Sequence, residues 1–247
     1  LVALSRLFQV PVGWLLGVEE VPEATEFSED QLKLLEELLG TKIHFLGPCD
    51  GAVRNRRMEE LAAAYQSAGE QVYVVRNGAT TGRGALGYTA AVVEMKRQCE
   101  DLGIGRMTIF APGGNGGVAA GLIYGNQLMG QPFRIVIVSV EDDRETLTAH
   151  IRSTISEVVE ITGLPMDVSV EQAAEITDAY RGGGWGENTE ESQQAVLSFA
   201  RSEGIFIENV YTSKVLVGMM DWIEQKKVSG SVCYLHTGGL GSLFAQY

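Results

Sequence analysis

Four glycines fall within five residues at Gly113-Gly114-Asn115-Gly116-Gly117, between the apolar run Thr108-Ile109-Phe110-Ala111-Pro112 and the small, apolar stretch Val118-Ala119-Ala120-Gly121-Leu122. The order reads as a buried strand, a turn and the first turn of a helix. Glycine tolerates positive φ and lets a ligand come close to the main chain, while the unpaired N–H groups and the dipole at a helix start favour an anion. The chemistry this suits is holding a cofactor phosphate. A glycine-rich turn that binds nothing is the alternative the motif alone leaves open. Three further turns, at 77–84, 209–213 and 237–239, are rich in Gly, Thr or Asn. Ligands on open α/β sheets sit outside the carboxyl ends of the strands. The four turns together therefore read as one polar small-molecule site.

The elements that must position these turns alternate. Apolar runs at 10–18, 42–46, 71–75, 107–111, 133–140, 205–208 and 232–236 predict strands, with helices over 53–67, 85–102, 116–129, 142–161 and 212–226. Ser28 with Gln31, and Asn188 with Glu191, have capping-box spacing for two more helices. Strand-helix alternation with near-continuous apolar strands implies parallel sheets covered on both faces, an α/β architecture.

With 247 residues and 45% hydrophobic content the chain can bury a full core, and a formal charge of −13 leaves no basic stripe for nucleic acid. Cys49, Cys99 and Cys233 are scattered without metal-ligand or disulfide spacing, which fits a reducing cytoplasm. No apolar run approaches the ~18 residues of a membrane span, so no membrane partner is expected. The opening Leu1-Val2-Ala3-Leu4-Ser5-Arg6 reads as mid-helix with no cap and no initiator Met. A segment upstream is expected.

Tyr211-Thr212-Ser213-Lys214 after an apolar run, followed by Leu235-His236-Thr237-Gly238-Gly239 and a closing Leu-Phe-Ala-x-Tyr, resembles the C-terminal signature of the D-cysteine desulfhydrase and 1-aminocyclopropane-1-carboxylate deaminase family. These are fold type II pyridoxal-phosphate enzymes. The turn Gly84-Ala85-Leu86-Gly87-Tyr88, the glycine cradle and the loop 184–191 fall in the same order, so the resemblance covers nearly the whole chain. It implies two open twisted α/β domains with the N-terminal part missing: residues 1–84 as the remnant of a small domain and 85–247 as the larger cofactor-binding domain. It further implies that Gly114, Asn115, Gly116 and Gly117 hold the phosphate of pyridoxal 5′-phosphate. Thr212 then faces the pyridine nitrogen as in the desulfhydrases, Thr237 and Gly238 line the ring, and Tyr211 moves protons beside a small amino-acid substrate. A homodimer is also implied.

Three departures stand out. Val118 occupies a position where the family usually has a Thr hydroxyl, and Trp185 replaces a substrate-facing Tyr. The family's Schiff-base lysine lies in an Asn-Lys segment near the N-terminus that is not found here; the lysines are Lys33, Lys42, Lys96, Lys214, Lys226 and Lys227. The expected reaction is α,β-elimination from a D-cysteine-like amino acid to a 2-oxo acid, ammonia and sulfide, with that lysine outside the chain. Two rivals remain. One is a catalytically inactive binding or regulatory protein on the same fold. The other is an NAD-dependent oxidoreductase, for which Gly114 to Ala119 fits the dinucleotide fingerprint and Glu141 ends the next strand.

Overall fold

The computed structural model describes residues 51–240 without a break, together with 33, 34, 37–42, 44, 46, 49 and 243. The expected strand over 10–18, Ile43 and Phe45 of that over 42–46, the Ser28 cap and Tyr247 lie outside the described residues. The chain divides into two compact units, 1–75 with 244–247, and 76–243. In the first, α1 (Gly51–Ser67) buries only Ala62, and 71–75 makes no strand among the described residues.

The second unit is a parallel sheet with helices on both faces. In chain order it runs a short 3₁₀ turn (Asn77–Ala79), α2 (Gly82–Leu102), β1 (Met107–Gly113), α3 (Gly117–Leu128), β2 (Phe133–Ser139), α4 (Arg144–Thr162), α5 (Val170–Ala173), β3 (Glu175–Thr177), α6 (Glu190–Glu203), α7 (Thr212–Glu224) and β4 (Ser231–Tyr234). The strand order is β3-β2-β1-β4, all parallel, with Ile109 paired to Ile135 and Cys233, and Phe110 to Val136 and Tyr234. β1, at an interior position, is buried along its whole length.

Alternate side chains of the strands enter different cores, as the two-residue period demands. Ile109, Ala111, Ile135 and Ile137 pack with Leu122 and Ile123 of α3 and Leu147 and Ile151 of α4, whereas Phe110, Val136 and Val138 meet Val215 and Trp222 of α7. On the first face α2 and α3 come together through a small residue. A Cβ on Gly121 would lie 2.2 Å from the carbonyl oxygen of Ala85, and the Thr89 hydroxyl donates to the Gly121 carbonyl at 3.2 Å.

Several expectations are corrected. Residues 205–208 form no strand: Ile205 and Phe206 are exposed, and the backbone there is satisfied by side chains instead of a ladder. The cap of α6 is Thr189, not Asn188. Thr189 and Ser192 exchange side-chain and main-chain hydrogen bonds in a capping box one residue later than the Asn188/Glu191 spacing indicated, because Ser192 is buried and its hydroxyl reaches the cap. The edge strand β3, with its exposed Glu175, and the one-turn α5 had no period long enough to read.

Candidate active site

The glycine cradle is the hinge between β1 and α3. Gly116 caps α3 with φ +90° and no side chain assisting, and the N–H groups of Asn115 and Gly116 bond to no acceptor among the described residues. A Cβ on Gly114 would lie 3.2 Å from the Tyr211 ring, one on Gly116 3.2 Å from the Ile151 nitrogen, and one on Gly117 3.3 Å from the Thr80 hydroxyl. The turn is thus open on its N–H side and closed to side chains. Those are the requirements of a phosphate cradle, so the residues present fit the group. Val118 lines the cavity beside them without a hydroxyl, but the Thr80 hydroxyl stands against Gly117 from the opposite turn.

The facing wall is built on Glu208, a residue that sequence reading did not single out. Its carboxylate is fully buried and accepts from the main-chain N–H of Val210 (2.6 Å), Tyr211 (3.0 Å) and Thr212 (2.7 Å) and from the Thr212 hydroxyl (2.8 Å). The Glu208 N–H donates back to the Thr212 hydroxyl oxygen at 2.8 Å. A buried carboxylate is tolerable when its lone pairs are met in this way, and here it also sits at the positive end of α7. The signal available in the sequence was an acid ending an apolar run just before Tyr211-Thr212-Ser213-Lys214. Thr212 lies behind this carboxylate, 1% exposed, and is not among the residues lining the cavity. Glu208 is.

Tyr211 stands at the start of α7 with its ring over Gly114. Its hydroxyl accepts the Trp185 indole N–H at 2.6 Å, and its own proton has no acceptor among the described residues. Burial raises its pKa; the indole hydrogen bond opposes this, while the Glu141 and Glu208 carboxylates add to it. Tyr211 is therefore a neutral phenol at physiological pH. Trp185 itself is exposed on the loop 181–187. The last turn is set by His236. Nδ1 accepts from Gly238 N–H at 3.1 Å, so the proton resides on Nε2, which donates to the Phe206 carbonyl at 2.8 Å. Gly239 then passes so close to Glu208 that a Cβ would lie 2.6 Å from Cγ.

All four turns line one cavity of about 330 Å³, within the range of small-ligand sites. The structure brings Gly114, Asn115, Gly116, Gly117, Tyr211, Thr237 and Gly238 to it, joins Trp185 through Tyr211, and sets Thr212 beneath. Thr80 and Glu208 are added. No group of His, Cys, Asp and Glu among the described residues could hold a metal ion, and no helix of the described residues is long and apolar enough to cross a membrane.

Comparison with known proteins gives the family. Residues 20–238 match the pyridoxal-phosphate dependent enzyme family. A crystal structure of an ACC deaminase homologue is similar with a TM-score of 0.75 at 28% identity, over 84% of this chain and 61% of that one. This chain thus spans less than two thirds of the homologue's length. The family's cofactor is pyridoxal 5′-phosphate, not a dinucleotide. The chain belongs to the pyridoxal-phosphate dependent enzymes, in the fold type II family of the ACC deaminases and D-cysteine desulfhydrases.

Proposed function

We propose that the complete protein is a cytoplasmic, homodimeric lyase or deaminase that performs α,β-elimination on a small amino acid carrying a good leaving group at Cβ. D-cysteine is the type substrate; with one water it yields a 2-oxo acid, ammonia and sulfide. Pyridoxal phosphate, when bound, supplies the electron sink that makes the substrate Cα–H acidic. The observation that carries the reading is the convergence of the cradle N–H groups, Glu208, Tyr211 and Thr237 on one cavity.

In this reading Gly114 to Gly117 and the Thr80 hydroxyl hold the phosphate, and Thr237 and Gly238 border the ring. Tyr211, neutral and with its proton unclaimed among the described residues, donates to the departing group or the substrate carboxylate. Thr212 and Glu208 act together on the far side: the Thr212 hydroxyl is spent on Glu208, donating to its carboxylate and accepting its main-chain N–H, so it is Glu208 that borders the cavity and Thr212 that holds it there. The lysine that carries the cofactor belongs to a segment outside this sequence. Lys214 does not serve, because its ammonium is occupied by main-chain carbonyls away from the cavity.

That occupation, with Trp185 in place of a phenol, is also what favours the second reading, a non-catalytic relative that keeps the site as a binding module. Borohydride reduction of the natural protein saturated with pyridoxal phosphate, followed by peptide mapping, separates the two. A cofactor-bearing lysine together with 2-oxo acid release from D-cysteine, L-cysteine, serine or the cyclopropane amino acid supports the lyase. Bound cofactor without an adduct and without keto acid from any of them rules it out.

A further inference from the structure

Lys214 is fully buried on α7, and its Nζ donates to the carbonyls of Arg181 and Gly184, both at 2.7 Å, and more distantly to that of Val140 at 3.4 Å. Burial pulls its pKa down and the nearby Glu187 and Glu208 pull it back up. An ammonium is costly to bury, and an aliphatic side chain of similar volume would fill the same space more cheaply. What the ammonium does that an aliphatic group cannot is gather main-chain oxygens from two segments at one point.

The loop it gathers has little else to hold it. Gly182, Gly184 and Gly186 all have positive φ, and the main-chain hydrogen bonds at Arg181, Gly184 and Glu187 are long, 3.3–3.4 Å. Outside the ammonium, the Arg181 guanidinium donates to the Glu141 carbonyl at 3.2 Å. Trp185 follows directly and is 58% exposed, so core packing does not set its position. Its place is fixed by the main chain at Gly184 on one side and by the Tyr211 hydroxyl on the other.

We propose that Lys214 is a positioning residue for Tyr211: its ammonium clamps the loop at Arg181 and Gly184 so that the Trp185 indole N–H occupies the acceptor side of the Tyr211 hydroxyl and leaves the phenolic proton to the cavity. The path is continuous, from Nζ to the Gly184 carbonyl, through one peptide to Trp185, and from Nε1 to Oη. Its consequence is that Tyr211 acts as a donor and not as a base. That consequence rests on the reading of Tyr211 as the group facing the substrate, whereas the clamp does not.

The test is the indole N–H resonance of Trp185 in ¹⁵N-labelled chain, which has three tryptophans, Trp14, Trp185 and Trp222. The signal is assigned by its absence in W185F. In Y211F it moves upfield as the hydrogen bond is lost. In K214M it moves to the same upfield position while the Trp222 signal stays, and in K214A, which leaves the side chain's space open, added propylammonium returns it toward the native position. In K214Q, whose amide keeps two donors in the cage and preserves the fold should K214M lose it, the signal moves part of the way. A Trp185 signal unmoved in K214M, or in K214Q where K214M is unfolded, with Trp222 native, overturns the clamp; one unmoved in Y211F overturns the indole-to-phenol link. No cofactor enters this experiment, so absence of keto acid from the loaded enzyme refutes the proposed reaction and leaves the clamp standing.

Discussion

The two sides of the cavity are built by different means. At the cradle the polar groups on offer are main-chain N–H, and the near absence of side chains leaves them open. At the facing wall nearly every position is set by a side chain gripping backbone: Glu208 under 210–212, Lys214 under the loop at 181 and 184, His236 between Phe206 and Gly238. A main-chain turn offers one geometry, and only the side chains at its edge, Thr80 and Val118, can be changed without breaking it. A side-chain scaffold can be retuned residue by residue. It is on that side that Trp185 departs from the family pattern.

The contrast is broken most severely at the cradle. Gly116→Val places a β-branched residue at φ +90° with its Cβ 3.2 Å from the Ile151 nitrogen, which costs on the order of 1–3 kcal/mol of backbone strain before the clash is counted. The expected outcome in an absorbance titration is a loss of pyridoxal-phosphate uptake of well over tenfold. Unchanged uptake would show that the phosphate lies elsewhere. At the wall the largest effect is Glu208→Gln. Hydrogen bonds to a charged group contribute about 1.5–3 kcal/mol against about 1 for neutral ones, and the amide also aims a donor at main-chain N–H groups. Urea unfolding is expected to show a loss of about 2–4 kcal/mol. A midpoint equal to that of the native chain would mean the turn is held by something other than this carboxylate.

The same contrast explains what the sequence made legible. Gly113 to Gly117 after a buried run was readable because the main chain's needs appear directly as glycine, and the long helices were readable because their apolar period is sustained. Glu208 was not, since a lone acid carries no pattern; what makes it structural is that Val210, Tyr211 and Thr212 turn their N–H groups onto it. Nor was the loss of the expected strand at 205–208 readable. Its composition is that of a strand, but its hydrogen-bond groups are claimed by Thr212 and His236, which lie 4 and 30 residues from their partners. Thr212 itself was readable in sequence but not in orientation, because resemblance supplies a position and only the structure shows the hydroxyl committed to Glu208.

A smaller effect sharpens the account of the cradle. Thr80 presents its hydroxyl beside Gly117, and Val118 presents none. Thr80→Val is expected to weaken binding of pyridoxal phosphate by about fivefold and Val118→Thr to strengthen it by a similar factor, each the worth of one hydrogen bond of about 1 kcal/mol. If Thr80→Val changes nothing while Val118→Thr still strengthens binding, the Thr80 hydroxyl faces away from the phosphate and the cradle is main chain alone.

The smallest effect concerns the start of α2, which carries the Thr80 turn. Glu157 on α4 accepts from the Gly82 N–H at 2.8 Å and from Arg76 at 2.7 Å. These contacts, the Gly82 hydrogen bond first, hold its carboxyl below the usual carboxylate range. A group whose pKa falls on folding adds stability that is complete above its unfolded value and is lost as pH drops through the folded one. Native chain should therefore exceed Glu157→Gln in urea unfolding at pH 7, by less than about 1 kcal/mol because the pair is partly exposed. The gap should close as pH falls below the ordinary carboxylate range. A gap that held constant into acid would assign the effect to packing of the side chain, and the charge of Glu157 would then have no part in fixing the turn that brings Thr80 to the cradle.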